Sequence, residues 1–300
     1  MMKFHFVINP QSGNFNYQEV VDYIRVYVQK NPDFLYDLHL TQHIGHATEI
    51  VKSIEGDDQC VIACGGDGTL NEVLNGLNEG VKLACIPLGS GNDFARMLKY
   101  PKGLSTPEWI EETINGRLVK VDYGVVNGER FINSCNTGID ALVLVEFERM
   151  RKWLLPKNVV YLLATLKTVL KPFSNKLKFT INNQEPFESE SLLCTLMNGK
   201  YYGNGYTPTP QSEINDRVLD LCYVVPLSLV KIASLIKKYS VGTHISHPSV
   251  HMYEIKTLLI DSEQEILYGI DGEIRYAKQM DCKVSDHQIE FMVSRKAGIL

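Results

Sequence analysis

Apolar and polar positions follow two different periods along the first third of the chain. Short apolar runs of strand character alternate with segments whose apolar residues recur every three or four positions, as on the buried face of a helix. Strands are predicted over 3–9, 34–40, 60–64 and 83–86, and helices over 17–30, 46–54, 70–77 and 94–98. Repeated strand–helix units predict a parallel sheet with helices on both faces.

The pattern changes after about residue 122. Asn127-Gly128 lies between two apolar runs and predicts a tight hairpin over 125–132. Further β-rich runs are expected at 176–182, 191–197, 218–225, 250–260, 264–270, 279–284 and 288–293, with helical segments around 139–171 and 226–239. We therefore expect an α/β domain over 1–124 and a mostly antiparallel β-sandwich domain over 125–300, with the last residues packing back on the first domain.

Composition is that of a soluble globular protein, with 44% apolar and 22% charged residues in a chain of 300. The longest apolar segment, 159–173, is interrupted by Lys167 and Lys171 and does not predict a membrane span. The short alternating start of the chain does not look like a secretion signal. Seven cysteines without a Cys-x-x-Cys pair favour reduced, buried thiols and a cytoplasmic location. A net charge of −5 gives no reason to expect a nucleic-acid partner.

The most informative segment is 65–76, which reads Gly-Gly-Asp-Gly-Thr-Leu-Asn-Glu-Val-Leu-Asn-Gly. It lies between a predicted buried strand and a predicted helix. Glycines at such a turn let a ligand approach the main chain. The helix behind them directs its free N–H groups and the positive end of its dipole at the same place, which favours phosphate.

The segment resembles the nucleotide-binding signature of the diacylglycerol kinase catalytic-domain family, which includes bacterial lipid kinases and the sphingosine and ceramide kinases. Two further turns match in order: Asn9-Pro10-Gln11-Ser12-Gly13 and Gly89-Ser90-Gly91-Asn92-Asp93. The resemblance implies a Rossmann-like, phosphofructokinase-like first domain, a β-sandwich second domain, and ATP with Mg²⁺ as cofactors. The chain lacks the Walker pattern, so any phosphate-binding loop is of another type. The nucleotide-binding residues implied are Asn9, Ser12, Gly13, Thr41, Gly65, Gly66, Asp67, Gly68, Thr69, Asn71, Ser90, Asn92 and Asp93.

Asp67 needs its own explanation, because a carboxylate beside phosphates is repulsive. Either Mg²⁺ lies between them, or the carboxylate caps a helix by accepting local N–H groups. We favour a role in the metal–nucleotide assembly.

The segment 269–273 reads Gly-Ile-Asp-Gly-Glu, and the resemblance implies that this Asp-Gly-Glu carries the catalytic carboxylates. Glu273 is then the general base for the acceptor hydroxyl, and Asp271 orients it or helps to bind metal. The alternative is a structural hairpin turn, since Asp-Gly is a frequent turn pair.

The segment from Tyr202 to Asp220 matches the family's glycine-rich stretch and implies a second Mg²⁺ site. Its ligands would be the side chain of Asp216 and the carbonyl groups of Glu213 and Val218. Arg217 stands where the family has glycine, and its guanidinium is expected to reduce the affinity for a cation.

From 149 to 178 the chain carries eight basic residues and no acidic ones, with Trp153, Leu154, Leu155 and Phe173 among them. Such a face could rest on an anionic membrane. A solvated helix face and a protein-docking face are the alternatives.

The leading hypothesis is a cytoplasmic, peripherally membrane-associated lipid kinase that acts on diacylglycerol or another lipid. An NAD kinase-like enzyme and a non-catalytic nucleotide or lipid sensor are the alternatives, and Arg217 is the one hint toward the sensor. The sequence leaves open which lipid is used and whether the chain forms a homodimer.

Overall fold

The computed structural model describes residues 1–13, 16–101, 103–150, 152, 155, 157–170, 175–203 and 205–298, with only the backbone described at 157 and 158. The chain forms two compact units. The first contains Met1–Val121 and His287–Leu300, and the second contains Asp122–Asp286. The second unit therefore begins slightly before the predicted boundary, and the C-terminal segment is part of the first unit.

The strands, in chain order, are β1 Lys3–Ile8, β2 Leu35–Leu40, β3 Gln59–Gly65, β4 Lys82–Pro87, β5 Arg117–Val121, β6 Gly124–Val126, β7 Glu129–Phe131, β8 Ser134–Gly138, β9 Asn175–Ile181, β10 Phe187–Ser191, β11 Leu193–Met197, β12 Leu219–Val224, β13 Val250–Ile255, β14 Thr257–Ile270, β15 Glu273–Val284 and β16 Ile289–Val293. The helices are α1 Gln18–Lys30, α2 His46–Val51, α3 Asp67–Gly76, α4 Asp93–Met97, α5 Thr106–Ile114, α6 Ile139–Met150, α7 Lys157–Val169 and α8 Leu229–Ser240, with a 3₁₀ turn over His244–Ser246.

The sheet of the first unit has the order β2-β1-β3-β4-β16-β5. The β1, β2, β3 and β4 pairings are parallel, as the alternating pattern predicted. On one face, Phe4, Phe6 and Ile8 pack with Val20 and Ile24 of α1 in a buried apolar core. The last strand, β16, pairs parallel with β4 and antiparallel with β5. The α/β fold class is confirmed.

Sequence periodicity missed α5 and β5. The helix α5 begins with a capping box, in which the Ser105 N–H and hydroxyl both donate to the Glu108 carboxylate, at 2.7 and 2.6 Å. The Ser-x-x-Glu spacing is a recognised start signal for a helix. The β5 strand is only five residues long, and an element this short gives little periodicity to detect.

The sheet of the second unit is antiparallel throughout its ladders, with the order β13-β12-β11-β8-β14-β15-β6-β7 and with β9 joining β14 to β10. The Asn127-Gly128 hairpin forms between β6 and β7. A long hairpin of β14 and β15 replaces several shorter predicted strands, with a register shift between Asp261 and Ile266. The predicted class of a mostly antiparallel second domain is confirmed.

All seven cysteines are free and buried, as their apolar surroundings predicted. Burial raises the pKa of the Cys60 thiol to about 12, which keeps it protonated and unreactive. Among the described residues, no helix combines the length and apolar character needed to cross a bilayer.

Candidate functional site

The three glycine-bearing turns meet at the carboxyl ends of β1, β3 and β4. These strands are neighbours in the parallel sheet, so the turns that follow them lie at one edge. The Ser12 hydroxyl accepts the Gly66 N–H at 2.9 Å, and the Asn9 side-chain amide donates to the Thr69 hydroxyl at 3.1 Å. The first predicted turn is thus bonded directly to the second.

The second and third turns are in backbone contact. A Cβ atom at Gly89 would lie 2.4 Å from the Cα of Gly66, and one at Gly65 would lie 2.3 Å from the Thr69 hydroxyl oxygen. The Leu88 N–H donates to the Gly65 carbonyl at 2.8 Å. Glycine is required at 65 and 89 because no side chain fits between the turns.

The first turn is tied to the third in the same way. Gly13 has a φ of +60°, and a Cβ there would lie 2.7 Å from the Leu88 carbonyl oxygen. Thr41 follows β2, and its N–H donates to the Ile8 carbonyl at 2.9 Å, which brings it to the same edge.

Gly68 differs from these packed glycines. A Cβ built on it would meet nothing within 4 Å, so the first turn of α3 is open on this side. The helix begins at Gly66 without a side-chain hydrogen bond to its first N–H groups. An anion can therefore approach the amino end of α3 here.

The Asp67 carboxylate reaches across to the start of α4, where the Phe94 N–H donates to it at 3.4 Å. Burial raises the pKa of Asp67, while the backbone N–H groups of Asp93, Phe94 and Asn92 act in the opposite direction. The Asp67 carboxylate thus accepts a helix N–H group, as the capping alternative proposed, but the helix is α4 rather than α3.

Asn92 shapes the third turn. It has a φ of 53°, its side-chain oxygen accepts the Gly89 N–H at 3.0 Å, and its amide donates to the Gly89 carbonyl at 2.8 Å. Ser90 is exposed at the tip of this turn, whereas Asn71 and Asp93 are buried behind it. Buried positions suit residues that support the turns rather than residues that touch a ligand.

In the second unit, Asp271 and Gly272 form the tight turn between β14 and β15, both with positive φ. The Asp271 carboxylate accepts three backbone N–H groups: Ile132 at 2.8 Å, Asn133 at 3.0 Å and Ser134 at 2.8 Å. Both of its oxygens are therefore engaged in fixing the hairpin to the segment before β8.

Glu273 is exposed immediately after this turn. Within the described part of the chain, no hydrogen bond holds its carboxylate. Arg275, two residues on, is paired through two nitrogens with Glu129, at 2.6 and 2.9 Å. Arg275 is thus hydrogen-bonded to Glu129 and not to Glu273, and the Glu273 carboxylate is available as an acceptor.

Arg217, which lies between the predicted metal ligands in the sequence, is paired with Asp122. The backbone N–H of Arg217 donates to the buried Asp122 carboxylate at 2.7 Å, and its guanidinium lies 3.4 Å from the same group. Asp216 accepts the Val218 N–H at 3.2 Å, and Glu213 is exposed. The Arg217 guanidinium is thus engaged by Asp122 and by the Asp286 carbonyl, at 2.9 Å, and the Mg²⁺ site of Asp216, Glu213 and Val218 stays a prediction.

A cavity of about 80 Å³ lies in the second unit among α6, α7, α8 and the adjoining strands, and its lining is mostly apolar and aromatic. Asp140 is the one carboxylate on its wall. It accepts the Thr195 hydroxyl at 2.8 Å and the Tyr202 hydroxyl at 2.5 Å. Burial raises the pKa of Asp140 to about 6. Sequence reasoning missed this group, because the strand before it, Ser134–Gly138, is mostly polar and gives no signal of a buried site.

Only part of the basic segment lies in the described residues; 151, 153, 154, 156 and 171–174 are outside them. Leu162 and Leu166 of α7 and Leu170, which directly follows that helix, form an exposed apolar stripe. Lys167 and Arg149 both pair with the buried Glu146, at 2.7 and 3.4 Å. The positive charge of this face is therefore partly neutralised, and its apolar character is greater than the sequence suggested.

The fold and these turns define a protein of two units, a parallel α/β unit that carries the three glycine-bearing turns and an antiparallel, β-sandwich-like unit. Family models match both units: the diacylglycerol kinase catalytic domain over 3–126, and the YegS C-terminal NAD kinase beta sandwich-like domain over 133–292. The chain belongs to the diacylglycerol kinase catalytic-domain family, as the resemblance predicted.

A diacylglycerol kinase of Staphylococcus saprophyticus subsp. saprophyticus is 29% identical over 284 residues, covering 89% of this chain and 87% of the relative. The crystal structure of a diacylglycerol kinase from Bacillus anthracis str. Sterne matches with a TM-score of 0.74 and 21% identity over 98% of both chains. Yeast NADH kinase in complex with NADH matches with a TM-score of 0.53 and 10% identity, covering 98% of this chain and 84% of that one. These structural matches show a shared fold.

Proposed function

We propose that the chain is an ATP-dependent lipid kinase, which transfers the γ-phosphoryl group of Mg-ATP to a lipid hydroxyl, with diacylglycerol as the first candidate and phosphatidic acid as its product. The observation that carries the proposal is the junction of three turns around the open side of Gly68 at the amino end of α3. The relatives that are named diacylglycerol kinase support the choice of acceptor.

In this proposal the nucleotide phosphates lie along the free N–H groups of α3, with Ser12 and Asn92 holding the flanking turns in shape. Phosphoryl transfer asks a protein mainly for positioning and for charge stabilisation. Asp67 is the carboxylate proposed to hold a Mg²⁺ ion at these turns. Burial raises its pKa, and a neighbouring cation would favour its charged form. Mg²⁺ would there neutralise charge on the phosphates.

Glu273 is proposed to take the proton from the acceptor hydroxyl while that oxygen bonds to the γ-phosphorus and the bond to the bridging oxygen of ADP breaks. Its exposed carboxylate has no hydrogen-bond partner among the described residues and can accept the proton. Asp271 is proposed as a positioning residue, since its three N–H contacts fix the turn that presents Glu273.

The lipid is proposed to place part of an acyl chain in the apolar cavity bounded by α6, α7 and α8. The cavity has room for several methylene groups, and each buried methylene contributes about 0.8 kcal/mol. The exposed leucine stripe of α7 is proposed to rest on the membrane surface from which the lipid is drawn.

The test uses radiolabelled ATP with mixed micelles that contain diacylglycerol, phosphatidylglycerol or ceramide, and a parallel reaction with soluble NAD. We expect label in a lipid product that requires Mg²⁺, and a loss of at least 100-fold in kcat for Glu273→Gln. Glu265→Gln, an exposed carboxyl change on β14, is the matched control and should retain full activity.

Three outcomes would overturn the proposal. Label in NADP rather than lipid would favour the NAD kinase-like alternative. Tight ATP binding without transfer to any acceptor would favour a sensor. Unchanged turnover in Glu273→Gln would remove the assignment of the base, whatever the acceptor.

A further inference from the structure

Three side chains of metal-binding type converge on β1 and β2, within the sheet of the first unit. His5 lies on β1, and Asp37 and His39 lie on β2, where the parallel register sets His5 opposite Asp37. One nitrogen or oxygen atom from each lies within 4.8 Å of the other two. None of these residues belongs to the glycine-bearing turns.

Hydrogen bonding fixes the proton on the His5 ring. The Gln59 side-chain amide nitrogen donates to the Asp58 carboxylate at 2.6 Å, so the Gln59 oxygen faces His5. That oxygen lies 2.8 Å from His5 Nε2, which must therefore carry the proton and donate it. His5 Nδ1 is left with a lone pair directed at the other two side chains. A histidine held through its second nitrogen in this way is the usual arrangement behind a metal ligand.

The separations suit a small tetrahedral ion. His5 Nδ1 lies 3.4 Å from His39 Nε2 and 3.4 Å from the Asp37 carboxylate oxygen. Nitrogen and oxygen ligands about 2.0–2.1 Å from a tetrahedral Zn²⁺ ion stand about 3.4 Å apart from one another.

We infer that His5, Asp37 and His39 form a binding site for a divalent transition-metal ion of the zinc type, with solvent completing the coordination. Two imidazoles and one carboxylate favour Zn²⁺, Cu²⁺ or Ni²⁺ over Mg²⁺ or Ca²⁺. The inference does not depend on the proposed kinase activity, because none of its ligands takes part in that reaction.

Lys3 is the competitor at this site. Its ammonium lies 2.7 Å from the same Asp37 oxygen, and its side chain is 37% exposed. A metal ion must displace this ammonium, and the flexible exposed side chain can move into solvent. Removing Lys3 should therefore strengthen metal binding while leaving every ligand in place.

The test is titration of the full chain, without a polyhistidine tag, with Zn²⁺ by calorimetry and with Co²⁺ by visible absorption. We expect one ion per chain at this site, a tetrahedral Co²⁺ spectrum, and at least tenfold weaker binding in His39→Ala and in Asp37→Asn. Lys3→Ala should bind several-fold more tightly. This variant keeps the ligands, so it decides the question even if His39→Ala fails to fold.

His43→Ala is the matched control, because His43, His46 and Glu49 form a second, mostly exposed cluster at the start of α2. The removal of the His43 side chain should leave metal binding by His5, Asp37 and His39 unchanged. No binding of either ion, binding lost in His43→Ala but not in His39→Ala, or weaker binding in Lys3→Ala would each overturn the inference.

Discussion

The carboxyl of Asp140 should make the stability of the second unit depend on pH in an unusual direction. Burial raises its pKa to about 6, above the ordinary value of 3.8. At a pH between these two pKa values, Asp140 is protonated in the folded unit but ionised in the unfolded chain. Stability from this group is therefore greatest below about pH 4, falls as pH rises, and levels off above about pH 6.

The magnitude follows from the two pKa values. The difference between 3.8 and about 6 corresponds to about 3 kcal/mol at most, at about 1.4 kcal/mol per pKa unit. Asp140 lines a cavity that water can enter, and its side chain is not fully shielded from solvent. We therefore expect its ionisation to lower the free energy of unfolding by about 2 kcal/mol. Asp140→Asn keeps the shape and an acceptor for the Thr195 and Tyr202 hydroxyls, but it never ionises.

The assay is thermal unfolding of wild type and Asp140→Asn from pH 3 to 8. We expect similar melting temperatures at the acid end, and a variant more stable by roughly 4–8 °C above pH 6.5. Glu265→Gln, at an exposed position on β14, should give a difference that does not grow with pH. A constant difference between wild type and Asp140→Asn across this range, or a variant that loses stability relative to wild type as pH rises, would refute the reasoning.

Three further predictions concern backbone contact and buried charge. Gly89→Ala should lower the free energy of unfolding by about 2 kcal/mol in a urea titration, because its Cβ would lie 2.4 Å from the Cα of Gly66. Gly68→Ala, whose Cβ meets nothing within 4 Å, should leave the melting temperature nearly unchanged but raise the KM for ATP at least tenfold; an unchanged KM would place the phosphates elsewhere. Arg217→Ala should lower the free energy of unfolding by about 2 kcal/mol in thermal unfolding, because it leaves the buried Asp122 charge without its cation. Arg217→Lys should recover part of this loss. An Arg217→Ala variant as stable as wild type would contradict the pairing.

The parallel half of the fold could be predicted because β1, β3 and β4 are largely buried and α1 has one apolar face. Phe4, Phe6 and Ile8 alternate in the way that a strand covered by α1 must. The three turns could also be placed together, since strand order in such sheets brings their carboxyl ends to one edge. Local pattern therefore predicted both the elements and the meeting of their loops.

What could not be predicted depends on residues far apart in the chain. The Arg217–Asp122 pair joins positions separated by 95 residues, and nothing in either local sequence specifies it. The contacts of Asp271 with Ile132 and Ser134 are equally remote. Helix α5 is a different case, because Ser105 and Glu108 carried the signal of a helix start in the local sequence, and this signal was overlooked.

The position of β16 has a consequence for biosynthesis. Until the residues from His287 onward leave the ribosome, β4 has an unpaired edge and β5 has no neighbour in its sheet. An exposed strand edge invites pairing with other chains. The first unit of the growing polypeptide therefore stays incomplete until the second unit has been synthesised. Chaperones that bind unfolded chains should matter most during that interval.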